Sequence, residues 1–124
     1  MILPGCGQIS ERDVHQRELV AAGKSSFRAY CAGCHGRTAK GDGPAAEYMT
    51  IQPADLTQIS ARNGGTFPTA MVYRRIEGSD EGADPKMPHW GEIWRGASPD
   101  SIGSMEADQK IEELVVFLQS IQVE

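Results

Sequence analysis

The sequence predicts an all-α fold, three to five helices with long loops between them, and three features predict it. Apolar residues recur at spacings of three and four early and late in the chain, the period of a helix that buries one face. No useful stretch alternates apolar and polar residues, as a half-buried strand would. Gly and Pro, 14 and 7 in number, gather between the helical stretches and read as connections.

From Glu11 to Cys31 the chain lacks Pro, and Leu19, Val20, Gly23, Phe27 and Tyr30 fall at helical spacing, which predicts a first helix. Residues 36–44 (GRTAKGDGP) are rich in glycine and read as an irregular loop, with a short helix following at Ala45 to Met49. Pro53 to Pro68 reads mostly as loop, although Asp55 is suited to cap a helical turn and Asn63-Gly64-Gly65 to end it. Thr69 to Ile76 is a short helix with Met71, Val72 and Ile76 on its inner face. Glu77 to Gly91 carries too much Gly and Pro for regular structure, and an ordered connection that long usually serves a purpose. After Ser104, the spacing of Ala107, Ile111, Leu114, Val115 and Leu118 predicts an amphipathic helix to about Ile121.

The 124 residues amount to one domain, and they show no internal repeat. Hydrophobic residues make up 40% of the chain, yet only 6% is aromatic, so the core is thin and something other than side chains is expected to fill it. A net charge of −5 with no run of Lys or Arg excludes a nucleic-acid surface. No segment approaches the roughly 20 apolar residues of a membrane span. Residues 1–12 read as a tail and 13–124 as the domain. In that tail, Leu3 and Gly5 before Cys6 fit the end of a lipoprotein cleavage site, which would make Cys6 a lipid anchor. The alternative is an unpaired cysteine near a frayed terminus.

The chemistry centres on Cys31-Ala32-Gly33-Cys34-His35. C-x-x-C-H is the attachment signature of a c-type haem: two thiols on one helical turn reach the two vinyl groups of a porphyrin, and the adjacent imidazole is held beneath the iron. A structural zinc site needs four ligands, and Cys6, His15 and His89 are scattered singly. A thioredoxin-like pair belongs in a βαβ unit, for which there is no sign. A plain disulfide would leave His35 without a purpose. One covalent haem c is therefore expected, and it would fill the thin core and supply much of the folding free energy.

His35 accounts for one axial position on the iron. For the other, Met87 is the best placed, because Pro85 and Pro88 stiffen its segment and a weakly binding thioether needs a preorganised loop. His89 is the rival, since imidazole binds iron more firmly, and an open position is the third case. Met49, Met71 and Met105 read as packing or surface residues, and His15 as solvated.

With these motifs in place, the sequence resembles the class I cytochromes c, in particular small bacterial monohaem proteins. The resemblance rests on Cys31 to Gly36, on the Gly-Asp-Gly-Pro of residues 41–44, on the Met-Pro-x-Trp-Gly of 87–91, and on Gly23 and Phe27 ahead of the first haem cysteine. It runs from about Gly23 to Ile121. It implies the class I fold around one covalent haem, Gly23 and Phe27 packed on Leu114 and Phe117, and a carbonyl near Pro44 accepting the hydrogen bond of the second His35 ring nitrogen. Arg62, Asn63, Trp90 and Trp94 are candidates to bond the haem propionates, or else ordinary loop and surface residues. The acidic run 77–84 is a solvated loop or a docking surface for a positively charged partner.

The expected function is electron transfer between redox protein partners by a monomer with His35 and Met87 as ligands, not bond-making catalysis. A gas-binding sensor with a labile distal ligand, or a haem subunit of a larger oxidoreductase, are the alternatives. Maturation of the related cytochromes implies a periplasmic location or attachment to the outer side of a bacterial membrane.

Overall fold

Residues 9–80, 86–97 and 101–123 are described by the computed structural model, and among them lie six α-helices, two 3-10 turns and no strand. Helix α1 (Glu11–Tyr30) opens at Ser10, whose Oγ accepts a hydrogen bond from the Asp13 N–H at 3.2 Å. Glu11 and Asp13 put negative charge on the positive end of its dipole. The helix thus begins inside the stretch read as tail, while Cys6 lies outside the described residues.

Cys31 closes α1 by donating its N–H to the Phe27 carbonyl, and the chain makes one more turn as α2 (Ala32–His35). Gly36, at φ +85°, breaks it. The helix expected at Ala45 to Met49 is a 3-10 turn, Ala46–Tyr48. A second such turn, Leu56–Gln58, is capped by Asp55, whose Oδ1 accepts from the Thr57 N–H at 2.9 Å and hydroxyl at 2.6 Å. It runs into α3 (Ile59–Arg62), and the positive-φ pair Gly64 and Gly65 follows.

Helix α4 (Thr69–Glu77) buries Val72 and Ile76, whereas Met71, expected on the same inner face, is 40% exposed. The next two elements correct the expected boundaries. Helix α5 (Trp90–Ala97) starts inside the segment read as loop, and α6 (Ser101–Ser120) starts earlier than Ser104. Helix α5 begins within the Gly- and Pro-rich stretch that ends at Gly91 and carries two glycines of its own, which masks its helical pattern in the sequence.

Helix α6 packs on α1, α4 and α5. Its predicted face, Ala107, Ile111, Leu114, Val115 and Leu118, is buried throughout. Against α1 the approach is at backbone distance: a Cβ on Gly23 would stand 2.0 Å from the Glu113 carbonyl oxygen. One turn further on, the Phe27 ring lies 5.3 Å from that of Phe117, and Phe27 and Leu114 are each 1% exposed. Beyond α6, Gln122 donates to the carbonyls of Leu56 and Leu118 at 2.7 and 2.8 Å and accepts from the Ser60 N–H at 2.9 Å. The Val123 N–H reaches the Thr57 carbonyl at 3.0 Å. These bonds pin the 56–60 turn to the end of α6.

Candidate functional site

An apolar cavity of about 610 Å³ lies among these elements, within the range of roughly 300–1,000 Å³ typical of cofactor pockets. Cys31, Cys34 and His35 line it from the α1–α2 turn, Met87 and Trp90 from the approach to α5, and Phe27 from α1. Arg62 and Asn63 line it from the end of α3. Residues far apart in the chain thus face one space.

The attachment turn is held by the loop that follows it. Helix ends leave carbonyls without partners; here the N–H groups of Gly41, Gly43 and Ala45 bond the carbonyls of His35, Cys34 and Gly33 at 2.8, 3.0 and 2.8 Å. Residue 43 must be glycine, because a Cβ there would lie 2.4 Å from the Gly33 oxygen and 2.6 Å from that of Ala32. Pro44 itself is exposed and stands outside the cavity wall.

His35 Nδ1 lies 3.0 Å from the Ala54 carbonyl oxygen. A carbonyl only accepts, so Nδ1 carries the proton and Nε2 keeps a free lone pair. The acceptor differs from the expected carbonyl near Pro44: the Gly43 and Ala45 carbonyls accept from the Ala46 and Tyr48 N–H groups, and the ring meets the chain ten residues further on. Burial pushes the imidazole pKa below its ordinary 6.5, against the smaller opposing effect of the Ala54 bond, so the ring stays neutral and able to ligate. Burial, and secondarily Cys34, pushes the Cys31 thiol up to about 12. A thiol so protonated is a poor ligand for a free metal ion. Among the described residues no three His, Cys, Asp or Glu side chains gather to hold one.

Three methionines line the cavity, Met49, Met71 and Met87, and of these Met87 packs against the buried core. Reading Met49 and Met71 as filler missed their position on the wall. His89 is not on it; its side chain is 47% exposed and its Nδ1 lies 3.8 Å from the Glu92 carboxylate. His15 is exposed, and Met105 is 69% exposed. Pro85 lies outside the described residues.

The charged side chains on the wall are cationic among the described residues: Arg62, Arg75 and Lys86. Arg75 and Lys86 were missing from the sequence reading. Arg75 was legible, since Met71, Val72, Arg75 and Ile76 follow the helical period of one α4 face. Asn63 donates one Nδ2 proton to the Thr66 carbonyl at 2.8 Å while lining the cavity. Trp90 stacks on Trp94 at 5.2 Å, and Tyr30 packs on both rings at 5.4 and 5.3 Å. Lys110 Nζ sits 5.0 Å from the Trp94 ring centroid. Of the acidic run, Glu77 and Asp80 are spent on ion pairs with Arg95 and Arg75, and residues 81–84 lie outside the described ones.

An apolar slot with two thiols, a neutral imidazole and a thioether at its wall and cations around it fits a haem with anionic propionates. This is the fold of a small c-type cytochrome. The family model described as "Cytochrome C oxidase, cbb3-type, subunit III" matches residues 18–102, well over half of the chain, and the chain belongs to that family. Its role is haem-based electron transfer. Neither the curated proteins nor the solved structures gave a match. Among the described residues no helix is long and apolar enough to cross a membrane.

Proposed function

We propose that the chain holds one haem through thioethers from Cys31 and Cys34, with His35 Nε2 and Met87 Sδ as the axial ligands, and passes single electrons between redox proteins. One observation carries this reading: the two thiols, an imidazole whose Nδ1 is already bonded, and Met87 all face the same cavity. When bound, haem supplies the one-electron couple of its iron. The chain's part is to hold and to exclude. The Ala54 carbonyl fixes the His35 tautomer and orientation, Phe27 and Leu114 keep water from the cavity wall, and Arg62 and Lys86 offset propionate charge, the Arg75 charge being balanced by Asp80. A thioether ligand favours ferrous iron and so a comparatively high potential.

The test is the absorption spectrum of the holoprotein in both oxidation states, with and without carbon monoxide. Wild type should show the weak ferric thioether-to-iron band and take up carbon monoxide slowly; Met87→Ala should keep covalent haem, lose the band and bind carbon monoxide fast. An unchanged band in Met87→Ala overturns the ligand assignment. Rapid uptake by wild type would favour the gas-binding sensor.

A second reading follows from the family description: the chain is the haem-bearing subunit of a terminal oxidase. Size-exclusion chromatography of native extracts separates the two, since a free carrier elutes as a monomer and a subunit elutes with its partners. In either case the residues ahead of α1 include Cys6, which carries a lipid on the outer side of the membrane. Mass spectrometry of the native N-terminus tests that placement.

A further inference from the structure

The segment that delivers Met87 is fastened at its neck. Residues 78–89 join α4 to α5, and the two ends of this connection touch. A Cβ on Gly78 would lie 2.5 Å from His89 Cβ, and one on Gly91 would lie 2.7 Å from Glu77 Cγ and 3.0 Å from the Glu77 carbonyl oxygen. Arg95 closes the neck. Its Nη2 donates to Glu77 Oε2 at 2.7 Å and to Asp108 Oδ1 at 2.6 Å, and Tyr73 donates its hydroxyl to the same Asp108 oxygen at 3.2 Å. A single guanidinium nitrogen therefore ties α4, α5 and α6 together.

We propose that Arg95 is a positioning residue for Met87: by clamping the neck of the 78–89 connection onto α6, it holds the thioether where it can reach the iron. The inference rests on the His35 and Met87 reading above. A neutral thioether gains little from the iron, so its hold depends on how much freedom the connection must give up, and joined ends leave less to give up. An exposed salt bridge alone would contribute little. This one is partly buried and shared: Arg95, Glu77 and Asp108 keep 33, 21 and 48% of their side chains exposed. Without the guanidinium, two carboxylates that now sit on one nitrogen would face each other and push the neck apart.

The experiment uses holoprotein variants Arg95→Gln, Arg95→Lys and Glu77→Gln, with Met87→Ala as reference. Losing the two charge-assisted hydrogen bonds of the guanidinium should speed carbon monoxide uptake by the ferrous protein at least about tenfold in Arg95→Gln, with Arg95→Lys between it and wild type. In Arg95→Gln the ferric thioether band should melt at a temperature below the loss of helical circular dichroism. Glu77→Gln should move both readouts the same way, whereas adding it to Arg95→Gln removes one of the two repelling carboxylates and should bring them part of the way back toward wild type. Wild-type uptake and band in Arg95→Gln, with the band absent in Met87→Ala, overturn the neck and leave the ligand assignment standing. Band loss that coincides with global unfolding also overturns it, because Arg95 would then only support the fold. A band surviving in Met87→Ala removes the axial assignment and the positioning role with it.

Discussion

Gly23 and Gly43 show how two positions without side chains set the site's dimensions. Each lies against backbone oxygen, at 2.0 Å from Glu113 and 2.4 Å from Gly33 once a Cβ is added, so neither neighbour can yield by a rotamer change. Gly23→Ala should destabilise the holoprotein by about 1–3 kcal/mol, the cost of forcing a methyl into a packed contact, read from guanidinium unfolding. Retained stability would mean that α1 and α6 slide apart freely. What was legible at this scale had a chemical name: Cys31, Cys34 and His35 adjoin in sequence and their spacing states their use. The Ala54 carbonyl was not legible, because every residue carries a carbonyl and only the path of the loop decides which one meets the ring. Arg75 sits between, visible once α4 is placed.

At the level of elements, α1 and α6 could be read because their apolar positions recur over several turns, and α4 because Val72 and Ile76 stand one turn apart in a Pro- and Gly-free stretch, while α5 begins inside the Gly- and Pro-rich run that reads as loop. Ser10→Ala should cost the N-terminus of α1 about 1 kcal/mol in thermal unfolding, since one orphan N–H loses its acceptor. The α4–α5 neck gives a pH prediction. Hydrogen bonds from Arg95 hold Glu77 and Asp108 below their ordinary 4.5 and 3.8, with Ser79 and Tyr73 assisting and partial burial opposing. Carboxylates with depressed native pKa contribute fully above their unfolded values, and the contribution is lost as pH falls through the native ones. The ferric thioether band should therefore stay intact down to pH 4.5 and fade below it; fading that starts above pH 5 would contradict the assignment. Tyr73, pushed up to about 12 chiefly by burial and then by Asp108, keeps its proton across that range.

For the molecule as a whole, the shortage of aromatic residues and the 610 Å³ cavity are one fact seen twice: the chain does not bring enough apolar side chain to close its own centre. The double variant Cys31→Ala/Cys34→Ala, expressed with full cytochrome maturation, should lack covalent haem and unfold without a sharp transition, with enhanced dye binding to exposed apolar surface. A sharply cooperative transition in the haem-free variant would show that the side chains suffice. Composition announced a missing filler before any element was placed, whereas the clasp of Gln122 on the 56–60 turn gave no sign, since a lone glutamine in a sequence has many uses. That clasp has a practical side. Leu56 and Ile59, on the turn it grips, belong to the cavity wall, so traction on the chain just past residue 123, from a fusion, a tag or an optical tweezer, is felt at the chromophore and should register as a change of colour before any loss of helix.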